Sequence, residues 1–338
     1  MAAQVRRPGR DPGFGAGRGA AGRGPVKRGR HFALAYRRVF CMMARGRFWS
    51  ALMKAAIAGL LLFLAATPAS AAGSMAVTFV EDRAGQPLDL KGYGLTFNEE
   101  FDGPLSLQGP RLFAPVHTPI GAGKFDDPQG PAYAAVEVPG EDGRDVTALS
   151  ITAYKDGGGW RSGNVQSADA AQSYRQAPFG GKGFACRGCY FEARLKFPQA
   201  APGYWAAFWL LSPDQPGIGH VEVDVIEWYG GDPKGHHQSV HVWSKAAPAK
   251  HTFKSNFVGM KDVIADGRWH NYGALQQDGQ IVFYVDRREI SRVPVTAEFD
   301  VPLYALVSLS VLPKEAAAAV GPMVLYADYI RAYAPKGL

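Results

Sequence analysis

Cysteine is scarce in this 338-residue sequence, which contains only Cys41, Cys186 and Cys189. The two later cysteines are spaced C-x-x-C, but no second pair accompanies them and no thioredoxin-like βαβ pattern surrounds them. In the cytosol this spacing would suggest redox chemistry or half of a metal site. In an exported chain a small local disulfide between Cys186 and Cys189 is the better interpretation.

Long helical patterns are also missing. After residue 75 the sequence has no extended 3.6-residue apolar periodicity and no internal repeat. Short alternating runs recur instead, separated by Gly, Pro, Asp and Asn, as at residues 148–154, 190–197 and 280–286. This pattern is typical of an all-β sandwich or jelly roll. We expect one domain over residues 93–338, preceded by a leader or edge segment at 73–92.

No apolar run has the length of an ordinary membrane span, which needs about 20 residues. The run at residues 55–66 is shorter, follows basic residues and precedes the small residues Ala69-Ser-Ala71. It predicts the hydrophobic region and cleavage site of a signal peptide over residues 55–72. An uncleaved N-terminal anchor is the alternative. With cleavage, we expect a secreted or periplasmic protein that keeps no stable membrane anchor.

Negative charge is nearly absent from the first 54 residues. They hold 13 Lys and Arg against the single acid Asp11, a net charge of +12. Because the whole sequence carries +7, the remainder carries 7 − 12 = −5. We interpret residues 1–54 as a basic, disordered extension, with the true start at Met42 or Met43. The basic balance therefore gives no reason to expect a nucleic-acid partner.

Carboxylates are concentrated in one apolar stretch, residues 219–230. Its β-branched residues predict a strand. Glu222 and Asp224 are two residues apart, so a pleated strand directs them to the same face. Glu227 would point to the opposite face of a regular strand. A β-bulge between Asp224 and Glu227 would return it to the shared face, because a bulge adds one residue to the strand.

Three carboxylates on one strand face indicate chemistry. In glycosidases one carboxylate attacks the sugar and another donates a proton to the leaving oxygen, and retaining enzymes hold the two about 5–5.5 Å apart. The alternative is a solvated strand face with acids placed by chance. The adjacent Trp228 and Tyr229 are not typical of such a face.

The E-x-D-x-x-E pattern resembles the bulged form of glycoside hydrolase family 16. Residues 190–198 and 203–211 are similar to the run that leads into that family's catalytic strand. Residues 95–103 and 328–333 are similar to its first and last core strands, so that the resemblance covers roughly residues 93–335. It implies a concanavalin-like β-sandwich jelly roll of two curved antiparallel sheets with a concave substrate cleft.

The resemblance also implies an activity, that of a retaining endo-β-glycosidase. Glu222 matches the nucleophile, Asp224 the assisting carboxylate and Glu227 the general acid/base. The implied substrates are β-1,3-glucans, mixed β-1,3/1,4-glucans or bacterial exopolysaccharides. A transglycosylase on the same site and a non-catalytic carbohydrate-binding jelly roll are the alternatives.

Aromatic and polar residues supply candidates for sugar contact, since large rings stack on the C–H faces of sugars. Three tryptophans near the catalytic strand, a histidine on the next strand and a Trp-Arg pair in a Ser-Gly segment match cleft positions of the family. These candidates are Trp160, Arg161, Trp205, Trp209, Trp228 and His241. A solvated surface role remains the alternative for the arginine.

No cofactor is expected for catalysis. The family often carries a structural calcium, and Asp328 matches a position that can supply one of the oxygen ligands that calcium prefers. The resemblance implies a β-linked polysaccharide as the partner, and we expect the protein to be a monomer.

Overall fold

The computed structural model describes residues 77–81, 85–114, 121–169, 182–197, 200–215, 219–246, 248, 250–259 and 264–337. The basic extension and the predicted signal peptide lie outside these residues. Within the segment expected to be a leader or edge strand, Val77–Glu81 forms a strand.

The described part of the chain consists mainly of sixteen strands. Their bounds are β1 Val77–Glu81, β2 Tyr93–Glu99, β3 Lys124–Phe125, β4 Tyr133–Pro139, β5 Asp145–Asp156, β6 Gly159–Gln166, β7 Tyr190–Lys196, β8 Tyr204–Leu211, β9 Gly219–Tyr229, β10 Gly235–Ser244, β11 Lys250–Gly259, β12 Trp269–Gln277, β13 Gln280–Val285, β14 Arg288–Pro294, β15 Tyr304–Val311 and β16 Met323–Pro335. Two single-turn 3₁₀ helices, Ala297–Phe299 and Pro313–Glu315, flank β15. None of the helices in these described segments has the length and hydrophobicity that crossing a membrane would require.

The strands form two layers. The first runs in the order β1-β11-β10-β9-β8-β15-β6, and the second in the order β4-β5-β16-β7-β12-β13-β14, with β2 also paired to β16. The β5–β6 hairpin connects the layers. Apart from the β1–β11 and β3–β6 pairs, the ladders among the described strands are antiparallel. The all-β, two-sheet architecture predicted from the alternating runs is confirmed.

The core fills the space between the layers. Valines on β9 meet aromatic and aliphatic residues of the second layer in one continuous apolar cluster. On β9, Val221, Val223 and Val225 are buried in this cluster, because alternate residues of a strand point to opposite faces. The residues between them therefore face away from the core. We call this surface of β6, β15, β8, β9, β10 and β11 the site face.

Candidate active site

A β-bulge in β9 arranges the three carboxylates. Asp224 pairs with Ser239 on β10, but Glu227, three residues further on, pairs with His237, only two residues away from Ser239. In the β8–β9 ladder Phe208 pairs with Ile226, but the next residue, Trp209, pairs with Asp224, so the register shifts at the same position of β9. One extra residue of β9 is therefore accommodated between Asp224 and Glu227. The bulge predicted from the spacing of the acids is confirmed.

The bulge places all three acids on the site face. Val225 and Ile226 both lie in the core at the bulge, after which the alternation resumes with Glu227 partly exposed on the other side. Glu222 is also partly exposed, whereas Asp224 between them is buried. The strand therefore carries one partly exposed glutamate on each side of a buried aspartate.

Each glutamate accepts a hydrogen bond from a tryptophan indole. Trp205 on β8 donates Nε1–H to Glu227 Oε1 at 2.9 Å. Trp243 on β10 donates Nε1–H to Glu222 Oε2 at 2.6 Å. The two donors come from the strands on opposite sides of β9, so each fixes one glutamate without competing for the other.

Asp224 is held by a histidine. His241 Nε2 lies 2.9 Å from Asp224 Oδ2, and His241 pairs with Glu222 in the β9–β10 ladder. Burial lowers the pKa of His241 below its ordinary value, so the ring is neutral at pH 7 and has one donor and one acceptor nitrogen.

The electrostatics of the trio favour one shared proton. Burial, and then the neighbouring Asp224, raise the pKa of Glu222 to about 8, although His241 and the Trp243 hydrogen bond act in the opposite direction. Burial and the charge of Glu227 also raise the pKa of Asp224, which is hydrogen-bonded to Glu222. Because adjacent carboxylates cannot both ionise cheaply, these shifts favour a single proton shared by Glu222 and Asp224.

Aromatic rings extend the site along the site face on the Glu227 side. The Tyr229 ring lies 5.7 Å from the Trp205 ring and 5.7 Å from the His237 ring. A cavity of about 390 Å³ opens there, lined by Tyr229, His237, Phe257, Lys314 and other residues. The lining combines aromatic rings with the charged side chains of Asp232, Lys314 and Glu315.

Three of the predicted sugar contacts lie on the site face. Trp205 is partly exposed beside Glu227, and His241 is partly exposed beside Asp224. Trp209 pairs with Asp224 across the β8–β9 ladder. However, it is only 5% exposed and donates its Nε1–H to Ser308 Oγ at 3.2 Å, so it contributes to the floor of the site.

The predicted sugar contacts at Trp228 and Trp160 need correction, because both side chains belong to the core. Trp228 is fully buried and packs edge-on against Tyr204 and Phe197. The bulge that returns Glu227 to the site face necessarily turns its neighbour Trp228 to the core. Trp160 is 7% exposed within the same core cluster, and its Nε1–H donates to the Ala316 carbonyl at 3.4 Å.

Arg161 lies at the β5–β6 hairpin. Its Nε is 3.4 Å from Asp156 Oδ2, and the arginine side chain is 36% exposed. Its ion pair is thus with a residue of the hairpin and not with a member of the trio. The structure therefore favours a surface role for Arg161 over contact with a sugar.

Asp328, the predicted calcium ligand, is paired with an arginine. Arg194 Nη1 lies 2.6 Å from Asp328 Oδ2, and a guanidinium at this distance opposes a second cation on the same carboxylate. Over the described ranges no cluster of three or more His, Cys, Asp or Glu side chains suits a metal ion. The structural calcium at Asp328 stays a prediction.

Cys186 and Cys189 are joined by a disulfide, with their Cα atoms 5.8 Å apart. The bond closes the turn that leads into β7. Cys189 is fully buried, and Cys186 forms a bridge with Leu303 just before β15. The turn therefore connects the two layers at one end of the sandwich.

Trp243 and His251 are among the site residues that were not identified from the sequence. The alternation of β10 places Trp243 on the same face as His241, which is a signal that the sequence contains. His251 on β11 lies opposite Trp243, a pairing that depends on strand register. Its ring stacks on the Trp243 ring at 3.6 Å with an interplanar angle of 3°.

Comparison with known proteins relates this site to one family. The family model described as "Glycosyl hydrolases family 16" matches residues 143–314, a range that includes β9 and the strands beside it.

Two curated relatives come from Rhizobium meliloti (strain 1021). "Endo-1,3-1,4-beta-glycanase EglC" is 31% identical over 154 residues, and "Endo-1,3-1,4-beta-glycanase ExsH" is 35% identical over 149 residues. In each case the match covers 43% of this chain and 30% of the relative. The chain thus spans about a third of the length of the curated relatives that it matches.

A solved structure shares the fold. It is a family 16 protein of the Bacteroides ovatus mixed-linkage glucan locus, in complex with a G4G4G3G product, with a TM-score of 0.55 and 17% identity. The match covers 70% of this chain and 99% of that one. The two-layer jelly roll is therefore the fold of both proteins.

Proposed function

This chain belongs to glycoside hydrolase family 16, and we propose that it is a retaining endo-β-glycanase. The observation that carries the proposal is the bulged β9, which supports Glu222, Asp224 and Glu227 on one face with an indole donor on each glutamate. A non-catalytic carbohydrate-binding module has no need of three adjacent carboxylates, whose mutual repulsion is unfavourable.

In the first step Glu222 is the nucleophile. Its ionised oxygen attacks the anomeric carbon while Glu227 donates a proton to the glycosidic oxygen, and the bond between that carbon and that oxygen breaks. The proton that Glu222 shares with Asp224 stays with Asp224 as Glu222 attacks. The His241 hydrogen bond holds the Asp224 carboxyl in place during this step.

In the second step the glycosyl-enzyme is hydrolysed. Glu227, now ionised, accepts a proton from a water molecule that attacks the anomeric carbon, and Glu222 leaves as a carboxylate. Two displacements at the same carbon give net retention of configuration. Trp205 keeps the Glu227 side chain oriented in both roles through its indole hydrogen bond.

The proposed substrate is a β-1,3-linked or mixed β-1,3/1,4-linked glucan, or a bacterial exopolysaccharide. The printed activity of EglC and ExsH, endo-1,3-1,4-β-glycanase, supports the linkage class. The cavity lined by Tyr229, His237 and Phe257 lies on the Glu227 side, where the leaving part of the chain would bind. Its rings offer flat surfaces to sugar C–H faces.

Rescue by azide tests the roles of the two glutamates. Glu222→Ala should reduce turnover by at least about 10³-fold, because covalent catalysis is lost. With an activated aryl β-glycoside, azide should enter the vacated space and give a glycosyl azide of inverted configuration. Glu227→Ala should still form the glycosyl-enzyme from this substrate, which needs no proton donor, and azide should then give the retained product.

The anomeric configuration of each azide, read by NMR, is the decisive measurement. Exchange of the two configurations between the variants would mean that the roles are reversed. Wild-type turnover in either variant would remove the trio from the mechanism. Product lengths from a panel of β-glucans and exopolysaccharides would separate hydrolysis from transglycosylation, because transfer yields products longer than the substrate.

A further inference from the structure

Behind the trio lies a hydrogen-bonded chain of two histidines. His241 Nε2 is 2.9 Å from Asp224 Oδ2, and His241 Nδ1 is 2.9 Å from His251 Nε2. His251 lies at the exposed edge of the site face on β11. The chain therefore runs from the buried aspartate, through a half-buried ring, to an exposed ring on the second strand from β9.

The order of donors along this chain depends on which nitrogen of each neutral imidazole carries the proton. One ring nitrogen donates and the other accepts, so the partner of Nδ1 decides the role of Nε2. If His251 donates its Nε2–H to His241 Nδ1, then His241 must carry its proton on Nε2 and donate it to Asp224. Without a donor at Nδ1, His241 could hold its proton on either nitrogen.

Packing keeps His251 in position for this bond. Its ring stacks on Trp243 with centroids 3.6 Å apart, and lies 5.3 Å from the Phe253 ring. The His241 ring is nearly parallel to both, with interplanar angles of 12° to Trp243 and 15° to Phe253. The rings are thus held in a flat array in which the two histidine nitrogens face each other edge to edge.

We propose that His251 is a positioning residue, which donates a hydrogen bond to His241 and so fixes the His241 tautomer that donates to Asp224. The proposal rests on the proposed function, because it matters for turnover only if Asp224 assists Glu222. His251 does not itself touch the trio. Its effect reaches Asp224 through His241.

The charged and titratable groups that face the two rings limit the alternatives. Burial lowers the pKa of His241, whereas the charges of Glu222 and Glu227 on β9 raise it. Asp224 is hydrogen-bonded to His241. From β11, His251 faces His241, and each opposes a positive charge on the other. A doubly protonated pair is therefore unfavourable, and one neutral donor–acceptor chain is the arrangement that satisfies both rings.

Two substitutions at His251 separate hydrogen bonding from packing. His251→Phe keeps an aromatic ring on Trp243 but removes the donor. His251→Gln keeps an amide N–H at a similar reach, which can donate to His241 Nδ1. Phe253→Leu is the matched control, because Phe253 contacts both histidine rings through its ring alone.

The tautomer of His241 is measured by long-range ¹H–¹⁵N NMR on the full-length protein labelled at histidine. We expect an Nε2–H pattern for His241 in the wild type, His251→Gln and Phe253→Leu proteins, and a mixture of tautomers in His251→Phe. On an aryl β-glycoside, His251→Phe should lower kcat about tenfold with KM within about twofold. His251→Gln should recover most of that loss.

An unchanged His241 tautomer in His251→Phe would overturn the proposal. So would equal losses of kcat in His251→Phe and His251→Gln, since the glutamine can still donate. The NMR result does not depend on turnover. A wild-type protein that is inactive on every β-glycan would therefore refute the proposed function, while the tautomer measurement would still decide the role of His251.

Discussion

At the scale of single residues, the two glutamates are distinguished by their surroundings. Glu222 contacts a Trp243 indole and lies beside the His241 ring, whereas Glu227 contacts the Trp205 indole near Tyr229 and the cavity on its side. A hydrogen bond to a carboxylate stabilises its charged form. The indole on Glu222 therefore acts against the burial that keeps this carboxyl protonated.

Removal of the Trp243 donor should shift the pH dependence of activity. Its hydrogen bond lowers the pKa of Glu222, so Trp243→Phe should raise that pKa. Because Glu222 must be ionised to attack in the proposed mechanism, the acid limb of kcat/KM should move up by roughly one pH unit. The measurement is a pH profile with an aryl β-glycoside. Trp205→Phe, which removes the donor on Glu227, is the control, and an unmoved limb in Trp243→Phe would contradict the argument.

Glu222 should also cost the protein stability at alkaline pH. In the unfolded chain this carboxyl ionises near 4.5, whereas in the folded protein its pKa is about 8. Between these values the unfolded chain binds fewer protons, so the free energy of unfolding falls as pH rises. Glu222→Gln should remove this cost and stabilise the protein by on the order of 2 kcal/mol at pH 8, but not at pH 4.

Thermal denaturation at the two pH values checks this prediction. The expected gain in Tm at pH 8 is about 4–8 °C for a domain of this size. The same substitution at Glu137, an exposed residue of β4, should leave the difference between the two pH values unchanged. A gain of equal size at pH 4 and pH 8 would show that packing, and not ionisation, is responsible.

At the scale of elements, the disulfide stiffens the turn into β7. Closing so short a loop gains about 2 kcal/mol from the entropy of the unfolded chain. Replacing both cysteines, Cys186 and Cys189, with serine should therefore lower the free energy of unfolding by about 2 kcal/mol in urea denaturation. Thiol titration of denatured, unreduced exported protein should detect no free thiol, and two reactive thiols would refute the bond.

The elements also show how far the sequence determines the site. The β-branched residues of 219–230 were enough to predict the strand, and the spacing of Glu222, Asp224 and Glu227 was enough to predict its bulge, because side-chain alternation is a local property. The same alternation should have assigned Trp228 to the core, since it follows Glu227 directly. The family resemblance suggested a sugar contact there, and the local rule gives the better answer.

Contacts between strands could not be predicted in this way. The Trp243–Glu222 and His251–His241 bonds depend on the registers of β9, β10 and β11, which hydrophobic alternation alone does not fix to the residue. Trp160 was assigned to the cleft edge for a related reason. Its burial depends on how β6 crosses from one layer to the other, a property of the whole sheet.

At the scale of the whole molecule, charge is divided between two parts of the chain. Residues 1–54 carry +12 and the rest carries −5. We propose that the catalytic part is exported after cleavage near Ala72 or Gly73. N-terminal sequencing of exported protein should find one of these residues first. A chain that retains residues 43–71 would instead be anchored to the membrane.

Because of the bulge in β9, substituting a residue of the bulge and deleting it should have different effects on the strand. Up to Val225 the odd-numbered residues of β9 face the core, and from Ile226 onward the even-numbered residues do. Exchanging Val225 or Ile226 for another apolar residue alters only the volume that fills the core. Deleting one of them would instead remove the need for the bulge, because Glu227 would then lie four residues after Glu222 and share the site face in a regular strand, with Trp228 still facing the core. The five-residue spacing of the two glutamates therefore works only together with the bulge, and the proposed catalytic pair is encoded by the match between spacing and bulge as much as by the glutamates themselves.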